Sequence, residues 1–141
     1  PMVEEIIADL SLLADKKNIT LSTTGNATIT GSDTLLYQMI YNLVENAIKY
    51  NNQDGSVSID INNDDKYTYI QVKDTGNGIP KEYQETIFQP FFRIDKSRNR
   101  QFGGVGLGLA LVYEIARLHN GCVYVKDSNN NGTIIEVKME H

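Results

Sequence analysis

The chain has 141 residues, 40% of them hydrophobic, and a formal charge of −5, the size and composition of one ordinary domain able to bury its own core. The acidic balance argues against a nucleic-acid binder, which would carry a basic surface, and the single cysteine, Cys122, excludes an intrachain disulfide and reads as a small apolar filler. No apolar run of about eighteen residues and no signal-like start occurs, so no segment is expected to span a membrane or direct export.

Residues 1–17 place Val3, Ile6, Ile7, Leu10 and Leu13 at helical spacing, which predicts a lead-in or linker helix packed on a domain over 18–141. Two short β-like pieces follow, near 19–22 and 27–30, hinged by Gly25. Ser32 suits a helix cap, and Leu36, Ile40, Leu43, Val44, Ala47 and Ile48 form the apolar stripe of a helix that should fade by Asn51. Val57, Ile59 and Ile61 alternate with polar residues, as do Thr68, Ile70 and Val72, giving a hairpin across the polar turn 62–66. Beyond a short helix after Pro80, the long stretch 79–106 is rich in Phe, basic residues and Gly. Loops of this length inside compact domains are usually functional, often lids, and mobility without ligand is expected of the part from Phe91 to Gly104. A second helix over 107–118 and strands near 122–126 and 133–139, joined by the turn Asn-Asn-Asn-Gly, close the chain. This order predicts helices packed on one face of a mixed β-sheet, a two-layer α/β sandwich of the α+β class with a more polar outer face.

The helix over 38–50 carries an unusual polar edge. Gln38, Asn42, Glu45, Asn46 and Lys49 each lie three or four residues from another of the set, so their side chains line up along one edge. A face that merely met water would favour Glu and Lys, whereas Asn is a poor interior helix former. Two Asn one turn apart therefore point to a ligand for the amides, read here as a metal-bound polyphosphate. At the end of the second hairpin strand, Asp74 shares a face with Ile70 and Val72 and is aimed inward. A buried carboxylate needs hydrogen-bond donors, and Gly76 and Gly78 would admit a flat ligand, for which an adenine amine is a suitable donor. Asp-Thr-Gly-Asn-Gly is equally the composition of a tight turn. Thr133 projects from the last strand on the face of Ile135 and Val137, a position also compatible with plain β propensity.

Gly103 to Leu109 read GGVGLGL and run into the second helix, where exposed amides favour phosphate, although neither the Walker nor the dinucleotide glycine spacing is present. Upstream, Arg93, Lys96, Arg98 and Arg100 outnumber Asp95; Lys96 and Arg100 suit a solvated loop as well as a phosphate contact, and Arg93 is the preferred phosphate partner. Phe88, Phe91 and Phe92 are either loop anchors or the latch of a lid. His119, at a helix end, and His141, at the terminus, lack any evident orienting partner and read as uncatalytic.

Taken together, NLVENAIKY, DTGNGIP, IFQPFFRIDKSR, GGVGLGLAL and NGTIIEV occur in the order and rough spacing of the ATP-binding boxes of sensor histidine kinases. From Ile19 onward the chain resembles their catalytic domain, within the wider family of gyrase, the Hsp90 chaperones and the mismatch-repair ATPases. It is most similar to kinases that serve OmpR-type regulators. The resemblance implies a Bergerat-type ATP-binding fold and a phosphotransferase that uses ATP and magnesium. It implies that Asn46 is the magnesium ligand with Asn42 beside it, that Glu45 orients or deprotonates the attacking group, and that Lys49 and Tyr50 contact phosphate and nucleotide. With Arg93, residues Glu45, Asn46 and Lys49 then form the catalytic set. Asp74 would hold the adenine amine in a pocket shaped by Gly76, Gly78 and Ile79 and supported by Thr133. Gly104, Val105, Gly106, Leu107, Gly108 and Leu109 would flank the phosphates in the lid. Val105 stands where such boxes often carry Thr, removing a hydroxyl while keeping the amides.

The family's phosphoacceptor histidine lies on a separate dimeric helical hairpin that residues 1–141 do not include. The implied partners are therefore ATP, that hairpin in a homodimeric parent, and a response regulator. The domain itself is expected to be monomeric, free of nucleic-acid or membrane contact, and cytoplasmic, in a parent anchored in the bacterial plasma membrane. A nucleotide-sensing module without transfer, or a related ATPase or serine kinase, is the alternative; the stretch FFRIDKSR favours the sensor kinases.

Overall fold

The computed structural model describes residues 2–24, 33–84, 86–88 and 108–140. The expected strand near 27–30, the hinge Gly25, the cap Ser32, the loop residues Phe91, Phe92, Lys96, Arg98 and Arg100, and His141 lie outside them.

Three helices follow the apolar spacings. Helix α1 (Met2–Asp15) buries Val3, Ile6, Leu10 and Ala14; α2 (Asp33–Lys49) buries Leu36, Met39, Ile40, Leu43, Val44, Ala47 and Ile48; α3 (Gly108–Leu118) buries Val112, Ile115 and Ala116. All of these stripes join one hydrophobic cluster with the inward side chains of the strands, among them Val57, Ile59, Ile70, Val72, Ile135 and Val137. Burying each Leu or Ile of such a stripe is worth about 1.5–3 kcal/mol, which explains why α2 takes its place despite the two Asn in its interior. Two short 3-10 turns, Lys81–Tyr83 and Thr86–Phe88, follow the hairpin, and Phe88 is 8% exposed in the core as a loop anchor.

The sheet comprises β1 (Thr20–Thr24), β2 (Ser56–Asn63), β3 (Tyr67–Asp74), β4 (Gly121–Asn129) and β5 (Gly132–Glu140) in the order β1-β2-β3-β5-β4. Strands β1 and β2 are parallel, as a helical crossover such as α2 requires, and the other pairs are antiparallel. The outer face is the more polar one. Its Glu136 is only 4% exposed, accepting from Gln71 Nε2 at 2.7 Å and from the Tyr124 hydroxyl, with Lys126 Nζ 3.5 Å away. Cys122 departs from expectation: it is exposed, because strand alternation turns Val123 inward opposite Val137 and Cys122 outward.

Strand β4 extends beyond residue 126, and its pairing with β5 is irregular between Val125 and Asp127. Lys126 is the extra residue of a β-bulge, which reverses the alternation, so that Ser128 rather than Asp127 faces Thr133 across the ladder.

The C-terminus of α2 is held from outside. Lys17 Nζ, from the α1–β1 connection, donates to the carbonyls of Lys49 (2.5 Å), Asn51 (3.1 Å) and Ile48 (3.4 Å), where the helix dipole is negative. Burial lowers the Lys17 pKa, so the ammonium sits in a partly desolvated position. Lys17→Met should lower the free energy of unfolding by about 1–3 kcal/mol, the range for losing hydrogen bonds to a charged group, read from the shift in urea midpoint at constant slope.

Candidate functional site

Four pieces of chain converge beyond the C-terminal end of β3. Register sets Asp74 opposite Thr133, with both on the inner face. The Gly76 and Thr133 amides donate to the same oxygen, Asp74 Oδ1, at 2.9 and 3.3 Å. Among the described residues no group bonds Oδ2. Burial raises the Asp74 pKa above the usual carboxylate range, against the smaller opposing effect of those two amides. The carboxylate is thus half satisfied, half desolvated, and able to accept one more donor.

Helix α2 reaches the same corner. A Cβ on Gly76 would lie 2.8 Å from the Tyr50 carbonyl oxygen, so only glycine lets the turn after β3 close on the helix end. Asn51, 6% exposed, ties the two together: its Oδ1 accepts from Thr75 Oγ1 at 3.1 Å and from the Asn52 amide at 2.8 Å, while its Nδ2 donates to the Ser56 carbonyl at 2.9 Å. Gly78 has φ +82° and would place a Cβ 2.2 Å from the Asn129 carbonyl oxygen, so the lip of the corner is moulded onto β4. Ile79 donates its amide to Ser128 Oγ at 2.7 Å, and Ser128 Oγ lies 2.9 Å from Thr133 Oγ1.

The polar edge of α2 is not uniform. Asn42, 9% exposed, accepts from Gln38 Nε2 at 2.8 Å and donates to the Gly108 carbonyl at 3.4 Å, linking α2 to the first residue of α3. Glu45 and Lys49 are 3.7 Å apart, both partly exposed. The Asn46 side chain is half-buried and has no hydrogen-bond partner among the described residues. Tyr50 is 49% exposed, and Leu109 packs partly buried against the core. Of the predicted set, Asn42, Glu45, Asn46, Lys49, Tyr50, Asp74, Gly76, Gly78, Ile79, Gly108, Leu109 and Thr133 are described. Arg93, Gly104, Val105, Gly106 and Leu107 lie outside the described residues.

Sequence reasoning missed Asn51, Thr75 and Ser128. The first was visible only as the end of a helix, and the last is brought inward by the bulge. No three His, Cys, Asp or Glu side chains converge among the described residues to cage a metal. A magnesium ion held mainly by phosphates and waters needs only one or two protein oxygens, and Asn46 Oδ1 is of the right type and uncommitted.

Residues 31–141 match the model of the histidine kinase-, DNA gyrase B- and HSP90-like ATPases. The chain belongs to this ATPase family. It is 43% identical over 106 residues to the sensor histidine kinase WalK of Bacillus subtilis, covering 74% of this chain and 17% of WalK. With the sensor protein CiaH of Streptococcus pneumoniae it shares 44% identity over 112 residues, 79% of this chain and 25% of that protein. With the sensor-like histidine kinase SenX3 of Mycolicibacterium smegmatis it shares 37% over 141 residues, 98% of this chain and 36% of SenX3. The chain thus spans about a third or less of these relatives, and corresponds to the ATP-binding catalytic domain of a sensor histidine kinase. The fold agrees: the nucleotide-free catalytic domain of histidine kinase ThkA superposes with a TM-score of 0.83 at 24% identity, covering 99% of this chain and 91% of that one. Full-length ShkA in complex with AMPPNP gives 0.84 at 24% identity, over 98% of this chain and 29% of that one. Among the described residues, the mixed five-stranded sheet with helices on one face is the expected α+β architecture. No described helix is long and apolar enough to cross a membrane.

The raised pKa of Asp74 gives a sign for its effect on stability. A carboxyl that binds its proton more tightly when folded costs stability as pH rises through its unfolded and then its folded pKa, and the cost is complete above both. Asp74→Asn should therefore raise the thermal midpoint of the ligand-free domain at pH 7, with the gain vanishing below about pH 4, while weakening adenine-nucleotide binding at least tenfold in calorimetry.

Proposed function

We propose that this domain binds ATP with magnesium and transfers the γ-phosphoryl group to a histidine on a helical hairpin of its parent, from which it passes to an aspartate of a response regulator. The observation that carries the reading is the joining of the Asp74–Thr133 corner to the amide row of α2, through the Tyr50–Gly76 contact and the Asn42–Gly108 bond. One end of this arrangement offers a carboxylate acceptor for an adenine amine; the other offers the uncommitted Asn46 amide oxygen, beside the paired Glu45 and Lys49, for a metal-bound triphosphate.

In this reading Asp74 Oδ2 accepts the exocyclic amine, while Gly76, Gly78 and Ile79 form the wall against which the base lies flat. Asn46 Oδ1 holds the magnesium ion, and Asn42, already committed to Gln38 and Gly108, orients the helix beside it. Magnesium, when bound, draws charge from the phosphate oxygens. Lys49 supplies a further positive charge, and Glu45, tethered at 3.7 Å to Lys49, is placed on the exposed side to orient or deprotonate an incoming imidazole. The protein's part is then mostly positioning and electrostatics. Arg93, Val105 and the glycines 104 and 106, with Leu107, Gly108 and Leu109, are assigned to the phosphate end on the sequence pattern. Residues 1–17 serve as lead-in helix to an ATP-binding unit over 18–141. In this reading the domain works in the cytoplasm as a monomeric unit of a membrane-anchored, homodimeric parent.

Calorimetry of the domain with ATP, ADP and GTP, with and without magnesium, tests the reading. Adenine-selective, magnesium-sensitive binding is expected; a folded domain that binds none of the three would overturn it. Asn46→Ala should weaken ATP binding by about tenfold in magnesium and by less than about twofold in its absence, and equal losses in both would make Asn46 structural.

A further inference from the structure

Ser128 has no role in the site as derived so far, yet the fold brings it there by a specific device. Simple alternation from Val123 and Val125 would turn Asp127 inward; the bulge at Lys126 instead sets Ser128 opposite Thr133. Bulges placed beside functional sites commonly re-aim a side chain in this way.

The hydrogen-bond arithmetic then has a direction. The Ile79 amide can only donate, so Ser128 Oγ accepts from it at 2.7 Å. The second contact of that oxygen is Thr133 Oγ1 at 2.9 Å, where either hydroxyl could donate. If Ser128 donates, the Thr133 proton remains to be placed. Thr133 is 4% exposed and stands across the ladder from Asp74, on the inner face that lines the base corner. Adenine presents a ring nitrogen acceptor, N1, immediately beside its exocyclic amine. With the amine on Asp74 Oδ2, every proton in the row acquires an acceptor: Ile79 amide to Ser128, Ser128 hydroxyl to Thr133, Thr133 hydroxyl to the ring nitrogen, directly or through one water.

Resting on the adenine reading above, we propose that Ser128 is a positioning residue for base recognition, one that accepts the Ile79 amide and donates to Thr133, so that Thr133 presents a proton to the base. The corner then reads an amine and a ring acceptor side by side. A guanine base would turn a carbonyl oxygen toward Asp74 and a ring N–H toward Thr133, two mismatched pairs.

The test compares ADP with 1-deaza-ADP, in which the ring nitrogen is replaced by C–H, on the wild-type chain, Ser128→Ala and Ser128→Thr. The wild type should bind ADP roughly five- to tenfold more tightly than the analogue, the equivalent of one net hydrogen bond. Ser128→Ala should lose most of that preference by weakening ADP alone, and Ser128→Thr, which keeps the hydroxyl, should retain it. Equal weakening of both ligands by Ser128→Ala would make Ser128 merely structural and overturn the proposal. So would a wild type that does not distinguish the ligands, a result obtained even where the alanine variant fails to fold. A folded wild type that binds neither ADP nor the analogue would instead overturn the nucleotide reading on which this one stands.

Discussion

The packing of α2 is the constraint on which the rest of this structure depends. Seven of its apolar residues are buried, and as the crossover between two parallel strands it cannot turn about its axis without exposing some of them. A rotation by one residue, about 100°, would put Asn42 or Asn46 against the sheet and Leu43 or Ala47 in solvent. The direction in which the amide row faces is therefore decided by hydrophobic burial, not by the amides. Lys17 and Asn51 then hold the helix end and join it to the turn below the carboxylate. The two ends proposed for the base and the phosphates inherit a fixed separation from this single packed element.

Asp74 shows the opposite economy. Its position at the end of the central strand removes water from the carboxylate, and two backbone amides on one oxygen offset only part of that loss. The unmet capacity is what a ligand can use, so the site is stored in the ligand-free fold as an unfavourable local arrangement supported by the core around it. On the proposed reading, an acidic chain can accommodate an anionic ligand because recognition would use a neutral amine at one end and metal-bound oxygens at the other, without a broad basic surface.

Much of this was legible in the sequence, for physical reasons that differ by element. The stripe of α2 is long and strictly periodic, and the alternation in β2 and β3 has one buried face, so both announce themselves; the shared inward face of Asp74 and Thr133 follows from counting by twos. Counting by twos also explains the failures. It breaks at Lys126, where one extra residue changes the parity, so alternation does not reveal Ser128, and a run of Asp, Ser and Asn with poor strand propensity masks the end of β4. Pairing with β5 overrides that propensity. Cys122 was misjudged by residue type, since small and apolar suggested the core while its place beside Val123 turned it to solvent. Lys17 and Asn51 act through backbone carbonyls and side chains brought near by folding, a kind of contact that leaves no periodic trace.

The pairing of β3 with β5 carries a consequence for how the molecule comes into being. Thr133 meets Asp74 across 59 positions of chain, and β5 follows β3 and β4 in chain order. Helices and the β2–β3 hairpin can form from neighbouring residues, but the Asp74–Thr133 corner closes only when β5 pairs with β3, a slow, non-local step. A chain still emerging from the ribosome thus has its amide row and its carboxylate before it has a pocket. On the proposed reading, nucleotide stabilises the sheet only once β5 is in place, so its occupancy reports that β3 and β5 have paired.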